Sequence, residues 1–138
     1  MKKFQFKYIL PLFISYTLLS TACKDKHEHD EVKPEAAIIT ITTPYDAQEF
    51  EVGDTVKINA AISAPANLHG YEMHLTRLAD TTTIIDTANH AHAMNYSIYN
   101  SLVNDGKIHS DYRLEIIAIV DHAGTKVSKV INFHCHAH

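Results

Sequence analysis

Asp111-Tyr112-Arg113-Leu114-Glu115-Ile116-Ile117-Ala118-Ile119-Val120, followed by Asp121-His122-Ala123-Gly124, is the longest regular pattern in this 138-residue chain. A β-strand sends successive side chains to opposite faces. Tyr112, Leu114, Ile116, Ala118 and Val120 therefore share one apolar face, and the Asp-His-Ala-Gly tetrapeptide closes the run as a turn. The same period recurs on both sides of this run. Ile131, Phe133 and Cys135 alternate after it. Before it come Met94, Tyr96 and Ile98, then Tyr71, Met73 and Leu75, then Val56, Ile58 and Ala60, with the β-branched run 38–43 at the start. Turn signals separate these runs at Pro44-Tyr45-Asp46, Val52-Gly53-Asp54, Ala64-Pro65-Ala66-Asn67 and Asn104-Asp105-Gly106. Strands are expected at 37–42, 55–63, 69–77, 82–86, 93–99, 111–120 and 126–135. Short strands at this spacing predict an all-β sandwich in one domain over residues 36–138.

Pro44, then Phe50-x-x-Gly53-Asp54-x-Val56, then the Tyr112 to Gly124 run resemble the bacterial immunoglobulin-like domains of secreted and lipid-anchored proteins. Within these, the chain is similar to a poorly characterised group of histidine-rich lipoprotein domains. The resemblance implies a Greek-key sandwich of about seven strands and puts Tyr112 where such domains carry a tyrosine corner. The absence of Trp and of an inter-sheet cysteine pair excludes antibody-type domains as close relatives. A scaffold this widely used implies little about function.

Eleven histidines need an explanation, and all follow residue 22. His27/His29, His90/His92 and His134/His136/His138 have His-x-His spacing. On a strand, residues two apart point the same way with Cα atoms about 6.5–7 Å apart. Two such imidazoles can converge on one ion at about 2.0–2.1 Å each. Imidazole suits zinc, copper, nickel and iron. In a Greek-key sandwich the connections after the second, fourth and sixth strands share one end, which gathers His69, His90, His92 and His122. The other end takes His74, His109, His134, His136 and His138. With Ile131, Phe133 and Cys135 facing the core, His134 and His136 face outward, and Cys135 is a core thiol rather than a ligand. His74 and His134 should lie two strand spacings apart, about 10 Å, too wide for one ion without His109.

The loop end is expected to bind more tightly, because loops on a rigid scaffold converge ligands. A terminal strand frays. His27 and His29 are expected to assist that end, where the first strand begins. Plainer readings stand beside these. His109 and His122 taken singly are ordinary solvated loop residues. His90 and His92 share the parity of Tyr96 and could be half-buried. The last three could be a loose tail, and the whole set a pH-responsive surface.

The N-terminus locates the protein. Lys2, Lys3 and Lys7 precede an apolar stretch of twelve residues from Tyr8 to Leu19, broken by Pro11, too short to span a membrane but suited to a secretory leader. Leu19-Ser20-Thr21-Ala22-Cys23 resembles a bacterial lipobox, although Ser20 stands where an aliphatic residue is usual. The resemblance implies lipidation at Cys23 after removal of residues 1–22; an ordinary cleaved leader is the alternative. Lys24 to Glu31 resembles the short acidic signal of surface-exposed lipoproteins, and residues 23–35 read as a flexible tether ending near Pro34. The expected location is the outer membrane, on the cell surface or facing the periplasm. With Cys23 lipidated, Cys135 has no disulfide partner.

Lys2, Lys3 and Lys7 are three of twelve Lys and Arg, so residues 23–138 carry nine against sixteen Asp and Glu, a formal charge of −7. That balance argues against nucleic acid and suits cations. No nucleophile elbow, His-Glu-x-x-His, Walker loop or dinucleotide fingerprint occurs, so no enzyme is expected. The expected role is capture, buffering or delivery of a divalent transition metal, zinc or copper, with an outer-membrane uptake receptor as the partner suggested by location. An immunoglobulin-like adhesion or scaffold module with incidental histidines is the alternative.

Overall fold

The computed structural model describes residues 37–138. The leader, the tether, Cys23, His27 and His29 lie outside the described residues. Eight strands follow in order: β1 (Ile38–Thr43), β2 (Gln48–Phe50), β3 (Thr55–Leu68), β4 (Gly70–Arg77), β5 (Thr82–Asn89), β6 (Ala93–Val103), β7 (Ser110–Ile119) and β8 (Lys126–Cys135). They form two sheets, β1-β3-β6 and β2-β8-β7-β4-β5. Every pairing is antiparallel except β2 with β8, which is parallel. This is an immunoglobulin-like β-sandwich.

Alternation builds its core. Leu114, Ile116 and Ala118 of β7 are fully buried, as are Val56 and Ile58 of β3 and Leu75 of β4. Full burial of such a side chain stabilises by about 1.5–3 kcal/mol relative to exposure. Phe133 lies between Phe50, edge-on at 5.6 Å, and Tyr112, parallel at 5.3 Å. These three rings floor the end of the sandwich where β8 finishes. Tyr112 is buried and stands opposite Arg77 in the β4–β7 register.

Three expectations are corrected. β2 carries a single large apolar residue, Phe50, in three residues, too few for alternation to register. The Ala64-Pro65-Ala66-Asn67 segment is not a turn but part of β3. Its pairing with β6 slips there, so that Ser63 faces Asn95 while Leu68 faces Ala93. Pro65 has no N–H to give to a ladder, so it sits where the ladder is interrupted. Met94 lies opposite that bulge and is 43% exposed, not in the core with Tyr96 and Ile98.

Candidate metal centre

β8 alternates across the sheet: Phe133 and Cys135 point inward, and His134 between them points out. Burial pushes the Cys135 thiol up to about 11, with Asp54 adding to the shift, so no thiolate is on offer. The register places His134 between Glu49 of β2 and Asp111 of β7. Asp111 Oδ1 lies 2.7 Å from His134 Nδ1. A carboxylate only accepts, so Nδ1–H donates and the lone pair of neutral His134 is left on Nε2. Nε2 points at Nε2 of His109, 3.1 Å away. Two imidazole nitrogens held tetrahedrally by one ion at 2.0–2.1 Å stand about 3.3–3.4 Å apart. The contact is therefore close to the spacing an ion would impose. His136 follows two residues on and places Nε2 3.3 Å from Glu49 Oε2. With its proton facing Glu49, its Nδ1 carries the lone pair. One ring nitrogen from each of His109, His134 and His136 lies within 4.8 Å of the other two.

Backbone ties fix these side chains. The His136 amide donates to the Phe50 carbonyl at 2.9 Å. Asn104, 4% exposed, donates through Nδ2 to the carbonyls of Phe50, Glu51 and His136. Its Oδ1 accepts the Gly106 amide, shaping the connection that carries His109. Gly106 has φ +69°, and a Cβ there would press on Val52. The terminal strand is thus fastened on both sides, contrary to the expectation that it frays. A groove of about 530 Å³ opens beside the cluster, lined by Glu49, Leu78, Asp111 and His134 among others.

The other end gathers a second set. His69 is the single residue between β3 and β4, its amide bonded to the Ile119 carbonyl at 2.7 Å. Gly70 follows at φ +151°, where a Cβ would run into the Asn89 carbonyl. Only glycine lets the start of β4 approach the end of β5 so closely. His92 precedes β6, and His122 sits in the β7–β8 turn, which Asp121 Oδ1 braces by accepting the Thr125 amide at 2.9 Å. The rings of His69 and His122 are 3.6 Å apart, those of His69 and His92 4.5 Å, and those of His92 and His122 6.0 Å. Partial removal from water, and then His122 and His92, hold the His69 pKa below its ordinary value; His90 adds a smaller effect. His90 and His92 are exposed rather than half-buried.

Two of the nominated residues stand apart. His74 lies part-way along β4, with Nδ1 3.1 Å from Asp86 and Nε2 3.7 Å from Glu72, which also meets Lys126. Its row across the sheet is Asp86 and Glu115, not His134, so it does not join His109. His138 reaches Gly106 through its backbone and is outside the three-nitrogen cluster. Asp111 and Glu49 escaped the sequence reading. The parity of Asp111 opposite Tyr112 marks it as outward, but only register reveals that it faces His134.

A scan against known protein families finds no match, and no curated protein matches the chain. Among solved structures, the fold is similar to the fibronectin(III)-like modules of Clostridium thermocellum CbhA, with 18% identity, 73% of this chain and 98% of that chain covered, and a TM-score of 0.50. A likeness at that identity speaks to fold alone. The described domain is an immunoglobulin-like sandwich with a fibronectin(III)-like neighbour.

Proposed function

We propose that this protein is a lipid-anchored envelope protein that captures a divalent transition metal, zinc or copper, at His109, His134 and His136, for buffering or for delivery to an outer-membrane uptake receptor. The convergence of three ring nitrogens beside Asp111 carries this reading. A carboxylate that orients a ligating imidazole and fixes its tautomer is the usual outer partner in histidine metal sites. Without a thiolate, the site favours zinc, copper or nickel without separating them sharply. The anchor at Cys23 and the surface location rest on the lipobox-like leader.

The test is calorimetric titration of the full chain, purified in detergent, with zinc and with copper(II). Tight binding that disappears in His109→Ala and His134→Ala is the expected result. Identical weak heats in all three proteins would refute the reading. For the anchor, Cys23→Ser should release the protein from membranes or leave it unprocessed; a mature-sized variant still in the membrane fraction would remove that part.

The adhesion or scaffold alternative draws on the outer face of β1-β3-β6. Tyr99 is 75% exposed, Ile38 66% and Val103 60%, among Thr40, Asn59, Ser97 and Ser101, with Lys57 the single charge on that face. Such a neutral surface suits an uncharged partner. A chain that binds no metal but adheres to a cell-envelope fraction through Tyr99 would favour it.

A further inference from the structure

We infer that the opposite end of the sandwich holds a second, separately loaded site for a divalent cation of the zinc, copper or nickel class, formed by His69, His92 and His122. It stands on its own rings and does not require the first site to be correct. Three connections far apart in sequence bring these imidazoles together: the β3–β4 junction, the β5–β6 crossover and the β7–β8 turn. No packing demand explains the convergence, since His92 and His122 are exposed and neither belongs to the apolar core. His90 stands two residues from His92 in the same connection.

Geometry also sets the rank of the two sites. Imidazoles sharing one tetrahedral ion at 2.0–2.1 Å place their ring centres about 5 Å apart. His69 to His92 and His92 to His122, at 4.5 and 6.0 Å, bracket that value. His69 to His122, at 3.6 Å, is a ring-on-ring contact, and the ring nitrogens of the three do not all stand within 4.8 Å of one another, so the rings have to turn before all three can ligate. Both residues are tied through their backbones, so the contact opens by rotation of a ring about its side-chain torsions. Reorganisation on binding weakens affinity. The loop site is therefore the more readily exchanged, and the protein carries a firm site and a labile one at opposite ends of one domain.

The experiment titrates the full chain in detergent with zinc and with copper(II), following heat and histidine ring signals by NMR. It compares wild type, His92→Ala/His122→Ala and His109→Ala. Two ions per chain in two steps are expected, the second weaker by roughly tenfold or more. The double variant should keep only the tight step, and His109→Ala only the weak one. Both loop histidines are exposed, and an unchanged far-UV spectrum confirms that the variants fold. A double variant with both steps intact overturns the proposal. So does a wild type that binds one ion while the His69, His92 and His122 signals stay unmoved. A weak step that vanishes on dilution together with a dimer also overturns it, because the ion would then bridge two chains.

Discussion

At the C-terminal end the three imidazole pairs are 4.4, 4.8 and 5.4 Å apart between ring centres, and two of the rings face a carboxylate. At the loop end the same residue type gives 3.6, 4.5 and 6.0 Å, and the hydrogen bonds near the rings brace the backbone. The difference lies in what carries the histidines. His134 and His136 extend from a strand whose other face packs Phe133 against Phe50 and Tyr112, and register then brings Asp111 and Glu49 alongside. Turns can bring rings together from distant parts of a chain, but a sheet also supplies neighbours at fixed spacing. Preorganisation of a ligand set depends on neighbours that orient the rings as much as on convergence.

Removing a ligand should separate the two ends most sharply. His134→Ala should abolish the tight step in a zinc titration, a larger loss than the roughly 10–100-fold cost of an outer partner. The weak step should persist. Equal loss at both steps would mean that the ends are not independent.

Asp111→Asn comes next, with an expected fall of about 10–100-fold at the tight step alone. An asparagine amide can donate to Nδ1 and so move the His134 proton to Nε2, where it blocks the ion. Retained affinity would show that Asp111 does not set the tautomer.

Asn104→Ala should act through the backbone. It strips hydrogen bonds from the carbonyls of Phe50, Glu51 and His136 and should destabilise the fold by about 1–3 kcal/mol in a denaturant melt. Tight-site affinity should drop several-fold, while the loop step is unchanged. A drop at the loop step alone would reverse the assignment of this residue to the C-terminal end.

The smallest effect is acid-dependent and belongs to the loop end. His69 should titrate in the folded protein below the ordinary histidine value of about 6.5. The unfolded chain then binds its proton first, so stability is lost as pH falls from about 6.5 toward the lowered midpoint and is fully present above 6.5. NMR titration should show the His69 midpoint moving up in His122→Ala, because a neighbouring positive charge is removed. A midpoint that does not move would put the shift down to desolvation and the remaining histidines, His92 and His90.

Much of the fold was legible. The alternation of Leu114, Ile116 and Ala118 predicted their burial, and that of Ile131, Phe133 and Cys135 predicted both the outward face of His134 and the inertness of the thiol. Strand 126–135 has the expected bounds. Even the meeting of His69, His92 and His122 followed from placing turns at one end of a sandwich. What was not legible was short or long-range. β2 is too brief to show a period. The bulge at Pro65 looks like a turn until its strand continues beyond it. His74 appeared to belong with His109 because counting strands gives no position along them.

Parity and turns are local properties, set by the clash-limited backbone and by which side chains prefer water, so the amino-acid sequence determines them directly. It thereby determined an all-β sandwich, the outward face of His134 and the ends to which His69, His92, His109 and His122 go. Register between strands is a property of the whole packed core, because sliding one strand changes every contact it makes with its neighbours. Only the tertiary structure could therefore decide that Asp111 and Glu49 flank His134, that Asn104 ties down His136, and that three ring nitrogens converge at the C-terminal end.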